Sequence, residues 1–403
     1  MGRFVNPDNS AFQVALNSEI YVDKTGLLSY TNKVLDTMQG YICNSRPRRF
    51  GKSFAANMLA AYYSKGCDSR KMFSGLAISQ TADFEKHLNQ YDVIHLDIQW
   101  FLSNVSDPEQ IVAYITECTL AELRTIYADQ LPPEVSTVPD ALSRIKEATG
   151  QKFVIIIDEW DCVIRNSDDK ELVHSYLQFL HSLFKSEESK AFLALGYITG
   201  ILPIKKIKDE SALNNFREYT MLKSSPITKY YGFTEDEVTG LCKRFDMDFD
   251  SMKAWYNGYL IDGMHMYNPN SVSMAMDRQD FDSYWKNTSS FASINTFITM
   301  NYAGLKDDIM AMLAGGMVRV NTNTFKNDFS TIASKDDALT ALIHLGYLGY
   351  DSDRKKAFIP NYEVATAFEA ALQTGEWSDI ARAISTCDEL LDETIEGNAE
   401  RVS

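Results

Sequence analysis

Gln39-Gly40-Tyr41-Ile42-Cys43-Asn44-Ser45 runs into Arg46-Pro47-Arg48-Arg49-Phe50-Gly51-Lys52-Ser53, and then into Phe54-Ala55-Ala56-Asn57-Met58-Leu59-Ala60-Ala61-Tyr62-Tyr63-Ser64. The first part reads as a short strand and the second as an arginine-rich loop. The third reads as a helix, with apolar positions three and four apart and Gly66 as its stop. A strand feeding a loop whose Gly-Lys-Ser opens a helix is a P-loop arrangement. The unpaired N–H groups and positive dipole end of such a helix favour phosphate. Gly51 lets the backbone come close, Lys52 reaches the β and γ oxygens, and Ser53 offers its hydroxyl to magnesium. The full pattern, GxxxxGK[ST], wants glycine where this chain has Arg46, and Pro47 removes a backbone donor.

Working outward, Phe153-Val154-Ile155-Ile156-Ile157 is apolar on both faces and ends in Asp158-Glu159. A strand of that kind belongs inside a parallel sheet covered by helices on both sides. A carboxylate at its end supports magnesium in P-loop proteins, which gives Asp158 its expected role. Glu159 is then placed to orient or deprotonate an attacking water, and the pair points to ATP hydrolysis rather than to a kinase. The strand lies about 100 residues after the loop with two elements between, as an adjacent-strand layout with an inserted strand requires. Thr199 ends the next strand, where it would sense the γ-phosphate or simply cap the strand. Arg46, Arg48 and Arg49 flank the loop as phosphate contacts, as an arginine finger, or as a basic loop paired with the chain's many acids. With Phe50, Gly51, Lys52, Ser53 and Phe54 they form the candidate nucleotide-binding stretch.

Further strands are expected at 91–98, 192–198 and 218–224, with helices near 107–126, 139–149 and 169–186. The alternation implies an α/β layered sheet. After about residue 228 the pattern becomes mainly helical, with 234–245 and Ala338–Leu345 as helices and Gly346–Tyr350 as a strand and turn. Aromatic clusters at Trp255–Tyr259 and Tyr284-Trp285 read as core rather than as a base-stacking platform. The expected division is 1–228, 229–375 and an acidic 376–403. The fold class expected is a P-loop NTPase core of the additional-strand type, followed by a mainly helical, winged-helix-like region.

The 403 residues carry a formal net charge of -16, with 45% hydrophobic and 23% charged residues. Such a field repels phosphate backbones and argues against nucleic-acid binding by this chain alone. Six scattered cysteines form no CxxC pair, so neither a zinc site nor a disulfide framework is expected. No secretory signal and no bilayer-length apolar run is present, and a soluble cytoplasmic protein is expected. No histidine cluster has ligand spacing.

At these residues the chain resembles the AAA-ATPase-like family of bacterial proteins, which often carry a C-terminal PD-(D/E)xK nuclease-like domain. The resemblance lies in Tyr21–Leu27, in the Arg46–Ser53 string and in Ile157-Asp158-Glu159-Trp160-Asp161. It continues in Trp255–Tyr259, Tyr267-Asn268-Pro269 and His344–Leu348. It implies an arginine at the position of Arg46 as a family feature, and ATP in preference to GTP. It also implies that Tyr21–Thr25, with Asp23, folds over the adenine. A nuclease-like domain often begins near where these residues stop. No strand-borne Asp with a Glu-x-Lys set is present, so nuclease chemistry is not assigned. A shortened chain and an ATPase-only form both remain open.

The leading expectation is an ATP- and magnesium-binding, slowly hydrolysing switch that regulates an attached or partner effector, with self-association open. Lys52 and Glu159 carry turnover; Ser53 and Asp158 hold the metal. One rival is a non-hydrolysing interaction module. The other is a DNA-handling winged-helix ATPase.

Overall fold

The computed structural model of the chain describes residues 2–167, 169–204, 213–284, 302–327 and 331–373. In chain order the first half gives α1 (Ser10–Leu16), α2 (Gly26–Val34), β1 (Tyr41–Ser45), α3 (Lys52–Tyr63) and β2 (Asp92–Asp97). Then come α4 (Ile111–Ile126), α5 (Val138–Thr149), β3 (Phe153–Asp158), α6 (Cys162–Asn166), α7 (Lys170–Phe184), β4 (Leu193–Gly200) and β5 (Arg217–Tyr219). The five strands form one parallel sheet in the order β2-β3-β4-β1-β5.

The apolar run of β3 explains this placement. Side chains alternate across a strand. Phe153, Ile155 and Ile157 pack into one core with α4, α5 and α7. Val154 and Ile156 pack into another with α3 and its Ala55–Tyr63 face. A strand buried on both faces needs neighbours on both edges, and β3 has β2 and β4. Strand β4 stands between β1 and β3. It separates the strand that feeds the loop from the strand that ends in Asp158, which is the additional-strand order expected of the sequence.

The second half contains β6 (Phe233–Thr234), α8 (Glu235–Phe245), α9 (Phe249–Tyr256), β7 (Tyr259–Ile261), β8 (Met264–Tyr267) and α10 (Pro269–Arg278). It ends with α11 (Leu305–Leu313), β9 (Val318–Arg319), α12 (Lys335–Leu345), β10 (Gly349–Asp351), β11 (Lys356–Phe358) and α13 (Tyr362–Gln373). Helix α8 starts on a capping box, with Thr234 and Glu237 bonding reciprocally. The run α11–β9–α12–β10–β11, with its antiparallel sheet in the order β10-β11-β9, is a winged-helix-like arrangement. Strands β6, β8 and β7 make a second small antiparallel sheet, more β structure than the mainly helical pattern suggested. Tyr256 and Tyr259 are buried, as the core reading of that aromatic cluster requires. Trp285, the acidic stretch 376–403 and Cys387 lie outside the described residues.

The two halves share a core. Phe50 of the loop is fully buried among residues of α11, α12 and α13. Its ring meets Tyr259 edge-on at 5.2 Å, and Leu202 and Met221 join the same cluster. Among the described residues, no helix is long and apolar enough to cross a membrane. Cys43, Cys67, Cys118, Cys162 and Cys242 are free thiols.

Candidate nucleotide site

The loop leaves β1 and turns through two left-handed residues, Arg49 (φ 68°) and Gly51 (φ 84°). Glycine takes that conformation without steric cost, and it sets the first N–H groups of α3 toward open space. Lys52 is nearly buried, and its ammonium donates to the Pro47 carbonyl at 3.1 Å. It also lies 3.6 Å from Glu159 Oε1. The Ser53 hydroxyl bonds to Asp158 at the end of β3. The loop and the acidic pair, far apart in sequence, thus meet at the start of α3.

Glu159 is itself left-handed, with φ 51°, an uncommon state for a residue with a Cβ. Its N–H donates to Asp158 Oδ1 at 2.9 Å. Its second carboxylate oxygen accepts from Arg165 Nη2 at 2.7 Å. Arg165 Nε donates to Asp161 Oδ2 at 2.9 Å, and that oxygen also accepts the N–H groups of Ile201 and Leu202. Gly200 makes room for this: a Cβ there would stand 2.4 Å from Asp161 Oδ1 and 2.8 Å from the Trp160 ring.

A row of polar residues crosses the sheet behind the loop. In register, Asp97, Asp158, Thr199, Asn44 and Tyr219 lie side by side. The Thr199 hydroxyl and both amide atoms of Asn44 are buried without a hydrogen-bond partner among the described residues. Buried polar atoms left unpaired are costly, and here they sit beside the carboxylate and hydroxyl that suit a hard cation. Among the described residues, no three His, Cys, Asp or Glu side chains gather to hold a metal by themselves. Phosphate oxygens and waters would have to complete such a site.

Burial pushes the Asp158 carboxyl up to about 6, and the neighbouring Glu159 adds to the rise; the Ser53 hydroxyl and the Lys52 charge pull the other way. The folded state therefore holds this proton more tightly than the unfolded chain. Without a cation, stability from this residue is fullest below the ordinary carboxylate range and is lost as pH rises toward about 6. Asp158→Asn is expected to unfold in urea at a higher midpoint than wild type at pH 7.5 with chelator present. The gain should be on the order of 1–3 kcal/mol and should shrink toward pH 4.5. Equal midpoints at pH 7.5 would show that the carboxylate is not held against its desolvation cost.

A cavity of about 500 Å³ opens in front of the loop. Arg48, Arg49, Gly51–Phe54 and Glu159 line it, together with Ile20, Tyr21, Val22 and Lys24. Phe233 and the start of α10, with Pro269, Asn270 and Ser273, line it as well. Of the candidate residues, Arg48, Arg49, Phe50, Gly51, Lys52, Ser53, Phe54 and Glu159 line it, and Asp158 and Thr199 lie behind it in the row of polar residues. Phe50 lines it while its ring is committed to the C-terminal core.

Two of the candidate residues lie outside the cavity. Arg46 does not line the cavity. It is fully buried, donates to the carbonyls of Ser45 and Tyr219 and to Ser224 Oγ, and stacks 5.4 Å over the Tyr231 ring. Burial pulls its guanidinium down to about 10, still cationic at neutral pH. Side-chain alternation is the reason, because Arg46 continues the parity of Ile42 and Asn44 toward the core. Asp23 also stays out of the cavity. It accepts from the N–H and hydroxyl of Thr25 and from the N–H of Ala77, the local turn bonding that aspartate favours. Its neighbours Tyr21, Val22 and Lys24 line the cavity instead.

Sequence reading missed Arg165, Asn44, the start of α10 and the partner of Lys24. Asn44 was visible as a polar residue inside an apolar strand. Arg165 was visible only as the i+4 partner of Asp161. Lys24 pairs with Glu237 at 2.6 Å, a contact over 213 residues that no local pattern could indicate.

Residues 11–208 match the model of the family described as "Predicted AAA-ATPase". A curated relative from Azotobacter chroococcum mcd 1, described as "Uncharacterized protein in vnfD 5'region", is 25% identical over 275 residues, 67% of this chain and 51% of that protein. The chain thus spans about half the length of that relative. Among solved structures, the Aeropyrum pernix ORC2 protein in its ADPNP-ADP complexes aligns at 12% identity and TM-score 0.36, covering 94% of this chain and 99% of that one. The Aeropyrum pernix ORC1 protein in complex with DNA aligns at 12% identity and TM-score 0.30, covering 95% and 100%. At such TM-scores neither likeness carries fold or function.

Proposed function

With residues 11–208 an AAA-ATPase-like P-loop segment, we propose that the chain binds ATP with magnesium and hydrolyses it slowly, as a switch that acts on a protein effector. The observation that carries this reading is the meeting of Lys52 and Ser53 with Glu159 and Asp158 at the start of α3. The triphosphate would lie along the first turn of α3, with Lys52 on its β and γ oxygens. Ser53 and Asp158 would hold magnesium, which when bound offsets charge on the phosphates. Glu159 would orient the attacking water and take its proton. The base would lie near Tyr21, Val22 and Phe233, which are among the apolar residues that line the cavity.

The position of the cavity supports a switch. Some of its lining residues precede the loop, and others belong to residues 229–375, read as a second unit. A ligand touching both can bias their relative position only through contacts that differ between states. Phe50 gives such a route, since its backbone is part of the loop and its ring is part of the C-terminal core. A DNA-handling role is less favoured. In α12, the last helix before the β10–β11 hairpin, Asp337–His344 are all buried, so it offers no face to a groove.

Phosphate release by the wild-type protein tests the reading. Turnover of ATP is expected with magnesium and not with chelator. ATP binding without any phosphate release would favour the non-hydrolysing interaction module.

A further inference from the structure

Among the charged groups behind the loop, Arg165 has no part in the reading above. Its side chain is only 8% exposed and stands between two carboxylates. One arm is satisfied by Asp161, itself fixed by the N–H groups of Ile201 and Leu202. Those amides follow directly on Thr199 and Gly200 at the end of β4. The other arm reaches Glu159 Oε2 at 2.7 Å.

Glu159 therefore has two cationic neighbours of different standing. Lys52 lines the cavity and lies 3.6 Å away; an entering phosphate would draw its ammonium off. Arg165 does not line the cavity, so a nucleotide leaves its contact in place. A guanidinium is a rigid planar fork, whereas an ammonium is a point charge. With one side of the fork held on Asp161, the other fixes where the Glu159 carboxylate sits. Glutamate has three side-chain torsions, and its left-handed backbone here does not choose among them.

We propose that Arg165 is a positioning residue, which holds the carboxylate of Glu159 in its working orientation once Lys52 has turned to the phosphates. It ties that orientation to the tip of β4 through Asp161. The proposal rests on the hydrolytic reading of Glu159.

The test compares wild type, Arg165→Ala, Arg165→Lys and Glu159→Gln, with Arg165→Gln in place of the alanine variant if that does not fold. Each is measured for the ATP-induced thermal shift and for kcat and KM of phosphate release. Arg165→Ala should keep the thermal shift and its KM, and lose about 10–100-fold in kcat, the scale of a misplaced catalytic group. Arg165→Lys should recover part of the loss, because an ammonium reaches one carboxylate but not both. Arg165→Ala added to Glu159→Gln should cost nothing more, since a group that acts only through Glu159 has nothing left to position. Unchanged kcat in a folded Arg165 variant would overturn the proposal. So would loss of the thermal shift together with kcat, or full additivity with Glu159→Gln, each of which marks a general structural role. Wild type that releases no phosphate would sink the hydrolytic reading first, and this proposal with it.

Discussion

Lys52→Ala is expected to abolish stabilisation by ATP or ADP with magnesium, while the protein without nucleotide melts close to wild type. A ligand that binds only the folded state raises stability by about 2.7 kcal/mol at one hundred times its Kd. In the variant that rise should vanish. Lys52 is the nearly buried cation at the start of α3, and its ammonium is held by the Pro47 carbonyl and by Glu159. Both contacts are compatible with transfer to phosphate. Removing the ammonium leaves Glu159 without one of its two cations beside the incoming anion, so repulsion is added to the lost attraction. The measurement is a thermal-shift titration with ATP, ADP and GTP. An undiminished ATP shift in Lys52→Ala would move the nucleotide away from this loop. A wild type that responds to GTP as strongly as to ATP would overturn the base preference.

The second large effect separates binding from chemistry. Glu159→Gln should keep the ATP-induced shift and lose phosphate release by about 10²–10⁴-fold, the usual worth of a general base. The amide is nearly the same size, and its oxygen can still accept from Arg165, so the fold and the loop should be undisturbed. It cannot take a proton from water. It also removes a negative charge next to the phosphates, so ATP should bind at least as well as to wild type. Single-turnover phosphate release, read beside the thermal shift, checks both halves. Turnover at the wild-type rate would remove Glu159 from the chemistry. Loss of both readouts would make it a structural residue.

The sheet was legible in the sequence because its strands are short apolar runs that end in turn residues. Phe153–Asp158 shows this most clearly, since burial on both faces leaves no polar position to blur the pattern. The start of α3 was legible for a different reason. Gly51-Lys52-Ser53 is a local device, in which backbone chirality, helix dipole and side-chain reach all act within three residues. Arg46 was not legible, because its direction depends on strand parity and on the space that Tyr231 and Ser224 leave for a guanidinium. Composition alone leaves an arginine in such a loop open to phosphate contact, to a finger role or to pairing with the chain's acids.

By itself, then, the sequence determined the layered α/β core, the loop and the two carboxylates at the end of β3, since each rests on contacts within one element or on period-two burial. Only the tertiary structure decided the rest. It brought Lys52 to Glu159 and Ser53 to Asp158, lined up Asn44 with Thr199, and set Arg165 on Glu159. It also closed the cavity with Tyr21 and α10, and drove Phe50 into the C-terminal core. Apart from Arg165 on Glu159, six positions away, those contacts join residues tens to hundreds of positions apart. Their geometry follows from sheet register and from which face each helix buries, and neither is written in any one stretch of the chain.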